Sequence, residues 1–251
     1  MSAALAELLQ ISQTLLVTGF VVFLRIGGMM ALLPAFGEQS IPTRVRLALG
    51  LAFTVVVLPA VEVPVPTALI CAAEVMIGLL IGAVLRLFVI ALQIAGTLAA
   101  QATSLSQLFG GSSGEPQPAI GHLLMLGGLA LAVQSGLHVR FAQLMIGSYD
   151  ALPPGGFPDA ALVRAWGLAG VAQAFALAFS IAAPFVVAGL IYNVALGAIN
   201  RAMPQLMVAF VGAPALTAGG LVLLMIAAPT GLMVWLGAFE GFLGNPFEVA
   251  P

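Results

Sequence analysis

An all-α integral membrane protein is the fold class this sequence predicts, and three observations predict it. Of 251 residues, 62% are hydrophobic and only 6% are charged, where a soluble globular domain carries about 25% charged residues. The mean hydropathy is +1.18. A soluble fold of this length cannot hide that much apolar surface, so most of the chain faces lipid or other apolar protein. The apolar residues also gather into six segments, parted at prolines, glycines and the few charges.

The same composition excludes several function classes. A net charge of -2 offers no basic field for nucleic acid. All seven basic residues are arginine. The one cysteine, Cys71, excludes an intramolecular disulfide and a cysteine-based metal cluster; set in an apolar run, it reads as a buried thiol. The opening stretch "MSAALAELLQ" has Glu7 and no basic residue ahead of the apolar run, unlike a secretory signal, so the first segment is expected to be retained.

Taken in order, the first segment runs from Leu8 to Leu33 and ends at Pro34. The second, Leu47 to Leu58, is short and is stopped by Pro59, Pro64 and Pro66. The third, Leu69 to Gln107, would reach roughly 58 Å as one helix at 1.5 Å per residue, whereas a bilayer core of about 30 Å needs about 20 residues. It also carries Glu74 and Arg86, each costing about 2.5–3.5 kcal/mol at a lipid-facing mid-membrane site. A long helix or a broken pair packed against other protein accounts for both facts, and Gly78, Gly82 and Gly96 with Ala83 and Ala95 supply small faces for close packing. The fourth segment covers Ile120 to Ile146, the fifth Leu168 to Ile199, and the sixth Leu206 to Phe242 with Pro214 and Pro229 inside it. No long hydrophilic insert interrupts them, which gives a single membrane domain over 1–251.

If all six segments cross, the loops after the first, third and fifth share one side, with Arg44, Arg46 and Arg201. The other side holds Arg164 with Glu62, Asp150, Asp159 and both termini. The positive-inside rule then places the first group in the cytoplasm and both termini outside.

Few residues offer chemistry. "FGGSSGEPQPAIGH", Phe109 to His122, spells G-x-S-x-G, but a nucleophile elbow needs a strand before the serine and a helix after it. Here a helical run precedes, and Pro116 and Pro118 follow. The Gly111 to Gly114 spelling also suits an intramembrane protease with His122 or His138 as base, a weak match in a chain with 29 glycines. Neither histidine has a carboxylate at ligand spacing, so no metal site is expected. The charges inside apolar segments, Arg25, Glu74, Arg86 and Arg140, are the default pointers to function. Arg25 and Arg86 read first as structural ion-pair members that hold helices together or hold partner subunits. A proton relay would need several acids near the membrane centre, and only Glu74 qualifies. The ten methionines, among them Met29, Met30, Met203 and Met207, read as ordinary core filling.

Several stretches resemble one family. "FLRIGGMMALLPAFGEQSIPTRVRLALGLAFTVVVLP", Phe23 to Pro59, is similar to the early part of the FliR family of flagellar export-gate proteins: an arginine-containing apolar segment, P-x-F-G, then I-P and spaced basic residues. "EVMIGLLIGAVLRLFVIALQIAGTLAAQ", Glu74 to Gln101, has the family's E-x-x-I-G-x-x-I-G opening. "SGLHVRFAQLMIGSYDALPPG", Ser135 to Gly155, and "LGAINRAMPQLMVAFVGAP", Leu196 to Pro214, resemble the later helix exit and the N-R-x-x-P-Q signature. The likeness covers nearly the whole chain in the same order; "QATSLSQLFGGSSGEPQP" departs from the family's usual run.

The resemblance implies long, kinked helical hairpins packed in a hetero-oligomeric helical pore complex. Residues 1–169 would form a FliP-like part, 170–244 a FliQ-like hairpin and 245–251 a short tail. The partners implied are FliP-like and FliQ-like membrane subunits, an FlhB-like export-gate subunit, unfolded export substrates in transit and membrane lipid, in the bacterial inner membrane at the flagellar basal body. Leu105, Leu108, Phe109, Gly110 and Gly111 would belong to a mobile channel plug, with Arg25, Glu74 and Arg86 at subunit contacts. Asn200, Arg201, Pro204 and Gln205 would form a cytoplasmic turn. No enzyme activity and no cofactor are implied. The alternative reading is a secondary transporter of small solutes, which would require inverted repeats and a midplane site.

Overall fold

The computed structural model describes residues 2–38, 40–103, 119–203 and 208–247. Among these, every regular element is helical: α1 (Ser2–Leu32), α2 (Thr43–Val57) continued by a 3-10 turn (Leu58–Ala60), α3 (Ala68–Ala102), α4 (Ala119–Gln134), α5 (Leu137–Ala151), α6 (Ala160–Ala202) and α7 (Val208–Gly244). Among the described residues, five stretches are long and apolar enough to cross a membrane: Ser12–Leu32, Thr43–Ala60, Ala68–Ala102, Ala160–Ala202 and Pro214–Gly244. The bent pair α4 and α5 makes a sixth if taken as one span.

One sequence alternative is decided and four expectations are corrected. Of the two alternatives for the third segment, the long helix is the one found: it is one uninterrupted α-helix where described, and its glycines serve contact. The fourth segment is two helices that meet at 77°. Gly136, at φ +85, makes that corner, a left-handed conformation that costs glycine nothing. α2 begins at Thr43, after Pro42, and so takes Arg44 and Arg46 into its first turns. α6 begins at Ala160, well before the apolar run, because the Asp159 carboxylate accepts the Leu162 N–H at 3.2 Å and caps the helix. The Cys71 thiol, expected to be buried, is half-exposed.

The chain forms two compact units: Met1–Leu87, Val133–Val171 and Leu243–Pro251 make the first; Phe88–Ala132 and Ala172–Phe242 make the second. In the first unit α1 and α3 run parallel. Gly28 lies on Val75, Gly78 on Arg25 and Met29, and Gly82 on Met29 and Leu32. The core residues Val22, Ile26 and Met29 of α1, with Leu33 just past its end, recur at three- and four-residue steps, the stripe a helix presents to one neighbour. Ile77, Ile81 and Leu85 answer them from α3. α2 returns antiparallel to α1, with Gly50 against Phe23 and Leu58 against Gly19. Phe36, in the connection, meets Phe53 and Phe141 edge-on, at 6.2 and 5.8 Å between ring centroids.

In the second unit the later half of α3 packs on α4 through glycine facing glycine. A Cβ on Gly96 would come within 2.1 Å of the Gly121 Cα. α6 and α7 form an antiparallel hairpin, with Ile181 against Gly231 and the Tyr192 hydroxyl donating to the Gly212 carbonyl. Pro184 lies within α6, and Pro214 and Pro229 within α7; apolar helices tolerate such residues where neighbours or local adjustment satisfy the freed carbonyl. The centre of this unit is Trp235, fully buried. Its indole N–H donates to the Phe88 carbonyl at 2.8 Å, and its ring stacks on Phe239 at 5.1 Å. Gly128 packs closely beside it: a Cβ there would lie 2.6 Å from Leu92 Cδ1 and 3.4 Å from the indole ring. Trp235→Ala is expected to lose about 3–5 kcal/mol through the cavity it opens. Trp235→Phe should lose about 1 kcal/mol with its hydrogen bond. Midpoints of thermal unfolding in mild detergent rank both variants against wild type, and a Trp235→Phe midpoint equal to wild type would leave the indole N–H no share in stability.

Candidate functional site

The charges that the sequence singles out converge in the first unit. Arg25 comes from α1, Glu74 from the second turn of α3, and both side chains are 0% exposed. Arg25 Nε donates to Glu74 Oε2 at 2.6 Å and Nη2 to Oε1 at 2.9 Å, a two-pronged fork that matches guanidinium to carboxylate. The remaining N–H groups turn to the end of α5. Nη1 donates to the Ser148 carbonyl at 2.9 Å and to its hydroxyl oxygen at 3.3 Å, and Nη2 to the Leu152 carbonyl at 2.9 Å. Ser148 Oγ can accept because its own proton goes to the Met145 carbonyl at 2.7 Å. The guanidinium lies 3.8 Å over the Tyr149 ring.

This arrangement uses all five donors of the arginine, and the carboxylate cancels its charge. Burying such a pair costs several kcal/mol per ion, and only good geometry with every remaining donor and acceptor satisfied offsets that cost. The arginine also caps the C-terminal end of α5, where free carbonyls and the helix dipole favour a cation. One side chain thereby joins three helices. What the cluster does chemically is hold. A groove of about 160 Å³ that shares Leu152 with the cluster is lined by Leu80, Val163, Trp166 and Phe247 among others and carries no titratable group.

Arg86 sits elsewhere on α3 and pairs through Nη1 with Glu38 Oε1; the two side chains are 26% and 14% exposed. The pair ties the connection between α1 and α2 to α3. That connection holds Ala35 at φ +66, a left-handed conformation uncommon for a residue with a side chain. Gly37 fits tightly there, since a Cβ would lie 2.6 Å from the Met30 carbonyl oxygen. Arg140 is half-exposed, and His122 and His138 are exposed on different helices. Among the described residues no three His, Cys, Asp or Glu side chains are grouped to hold a metal.

Asn200 and Arg201 are exposed in the last turn of α6, where a basic residue suits the helix dipole. Pro204 and Gln205 lie outside the described residues. So do Leu105, Leu108, Phe109, Gly110 and Gly111, and with them the G-x-S-x-G string. Sequence reasoning missed Glu38, Ser148, Tyr149 and Leu152. Glu38 carried a signal, as one of nine acids and directly after the P-x-F-G stretch. The groups used at Ser148 and Leu152 are mainly backbone carbonyls, which no residue type announces.

The family model described as "Bacterial export proteins, family 1" matches residues 16–242. The chain belongs to this family. Its relatives carry one name. A protein of Caulobacter vibrioides, "Flagellar biosynthetic protein FliR", is 34% identical over 235 residues, covering 88% of this chain and 92% of the relative. A protein of the same name from Aquifex aeolicus is 29% identical over 92% of this chain and 93% of its own. Another, from Escherichia coli, is 26% identical over 82% of each. The resemblance read from Phe23–Pro59, Glu74–Gln101 and Leu196–Pro214 therefore names the right family. Both Arg25 and Glu74 lie within the matched span.

Proposed function

We propose that this chain is a component of the flagellar type III export gate, forming part of the channel that passes unfolded flagellar subunits across the inner membrane. One observation carries the reading: the match to the export-protein family runs from residue 16 to 242, and relatives named for flagellar biosynthesis align over most of their own length. The physical character of the chain supports it. α7 is long and apolar, yet only 11% of its spanning window is buried within the chain. Such a helix suits a subunit enclosed by apolar neighbours, here FliP-like and FliQ-like subunits with an FlhB-like one beside them. In this reading the protein performs no chemistry, and the energy for export comes from its partners.

The roles of individual residues follow as part of the proposal. Arg25 and Glu74 hold subunit contacts indirectly, by fixing α1, α3 and α5 so that their outer faces are presented in register. Arg86 does the same for the α1–α2 connection. Leu105, Leu108 and Phe109, with Gly110 and Gly111, close the channel at rest, and Asn200 to Gln205 face the cytoplasmic export machinery.

Deletion in the native host, followed by complementation, tests the function. Loss of swimming and of secreted flagellin is expected, with both restored by the wild-type gene. Mild-detergent purification of the tagged chain should bring two small apolar subunits with it. Normal flagellin secretion by the deletion strain would overturn the reading. A leak assay on Leu108→Ala/Phe109→Ala addresses the plug alone: ion leakage no greater than wild type would remove that role.

A further inference from the structure

We draw no further inference here: the strongest candidate, the apolar groove of the first unit between the end of α5, the start of α6 and the turn after α7, lined in part by Leu80, Leu152, Val163, Trp166 and Phe247, carries nothing because nothing in the structure shows what covers it.

Discussion

Methionine in place of Arg25 is expected to lower stability by about 3–5 kcal/mol, because it leaves the Glu74 carboxylate buried without a counter-charge. The side chain at 74 is 0% exposed, so water cannot reach it to compensate. The same change strips the Ser148 and Leu152 carbonyls of their donor at the end of α5. Glu74→Met should be damaging for the complementary reason, since it leaves a buried cation. The double change Arg25→Met/Glu74→Met removes both charges together and should recover part of the loss, because apolar residues of similar volume are often tolerated where an ion pair was buried. Thermal midpoints of the four proteins in mild detergent complete a double-mutant cycle. If the two single losses simply add in the double variant, the pair is not coupled and its account as a clamp is wrong. In cells, the single variants should lose export through low abundance, and the double variant should be the more abundant.

Gly78→Leu should prevent the native packing of α1 on α3 altogether. A Cβ at this position would come within 2.0 Å of the Arg25 carbonyl oxygen and 3.0 Å of the Met29 nitrogen, which are backbone atoms that no rotamer change can move aside. Relief requires the two helices to part, and parting them stretches the Arg25–Glu74 fork one turn away. Gly78→Ala tests the contact with a single methyl group and should still cost more than about 2 kcal/mol, the upper part of the usual overpacking range. Gly237→Ala provides the contrast. Nothing lies within 4 Å of a Cβ there, so the change should be neutral or stabilising by up to about 1 kcal/mol through helix propensity. Expression and thermal midpoint, compared across the three variants, decide the matter. A Gly78→Leu protein as stable as wild type would mean that α1 and α3 do not approach as described.

How much of this was legible in the sequence varied with the physics of each feature. The apolar segments were legible because lipid imposes a length and a composition, and prolines such as Pro34 and Pro59 mark where they end. The importance of Arg25 and Glu74 was legible because charge in an apolar run is expensive. Their pairing with each other was not, since they are 49 residues apart and no local periodicity links α1 to α3. The corner at Gly136 was hidden for a different reason. Ile120 to Ile146 is apolar on both sides of it, and one glycine among 29 carries no signal of a left-handed residue. α2 was drawn too short because Arg44 and Arg46 looked like loop, although arginine is a good helix former. The capping carbonyls of Ser148 and Leu152 were invisible, for every residue has one.

The arrangement around Arg25 also bears on biosynthesis. Its carboxylate partner follows it by 49 residues, but the Ser148 carbonyl follows by 123 and the Leu152 carbonyl by 127. At elongation rates of about 5–20 residues per second, the ribosome needs roughly 6–25 s to deliver the last acceptors after the arginine itself has been made. Throughout that interval α1 carries a cation whose binding site does not yet exist. The first helix to emerge is therefore among the last to settle, and its final seat in the membrane is decided by residues translated near the middle of the chain.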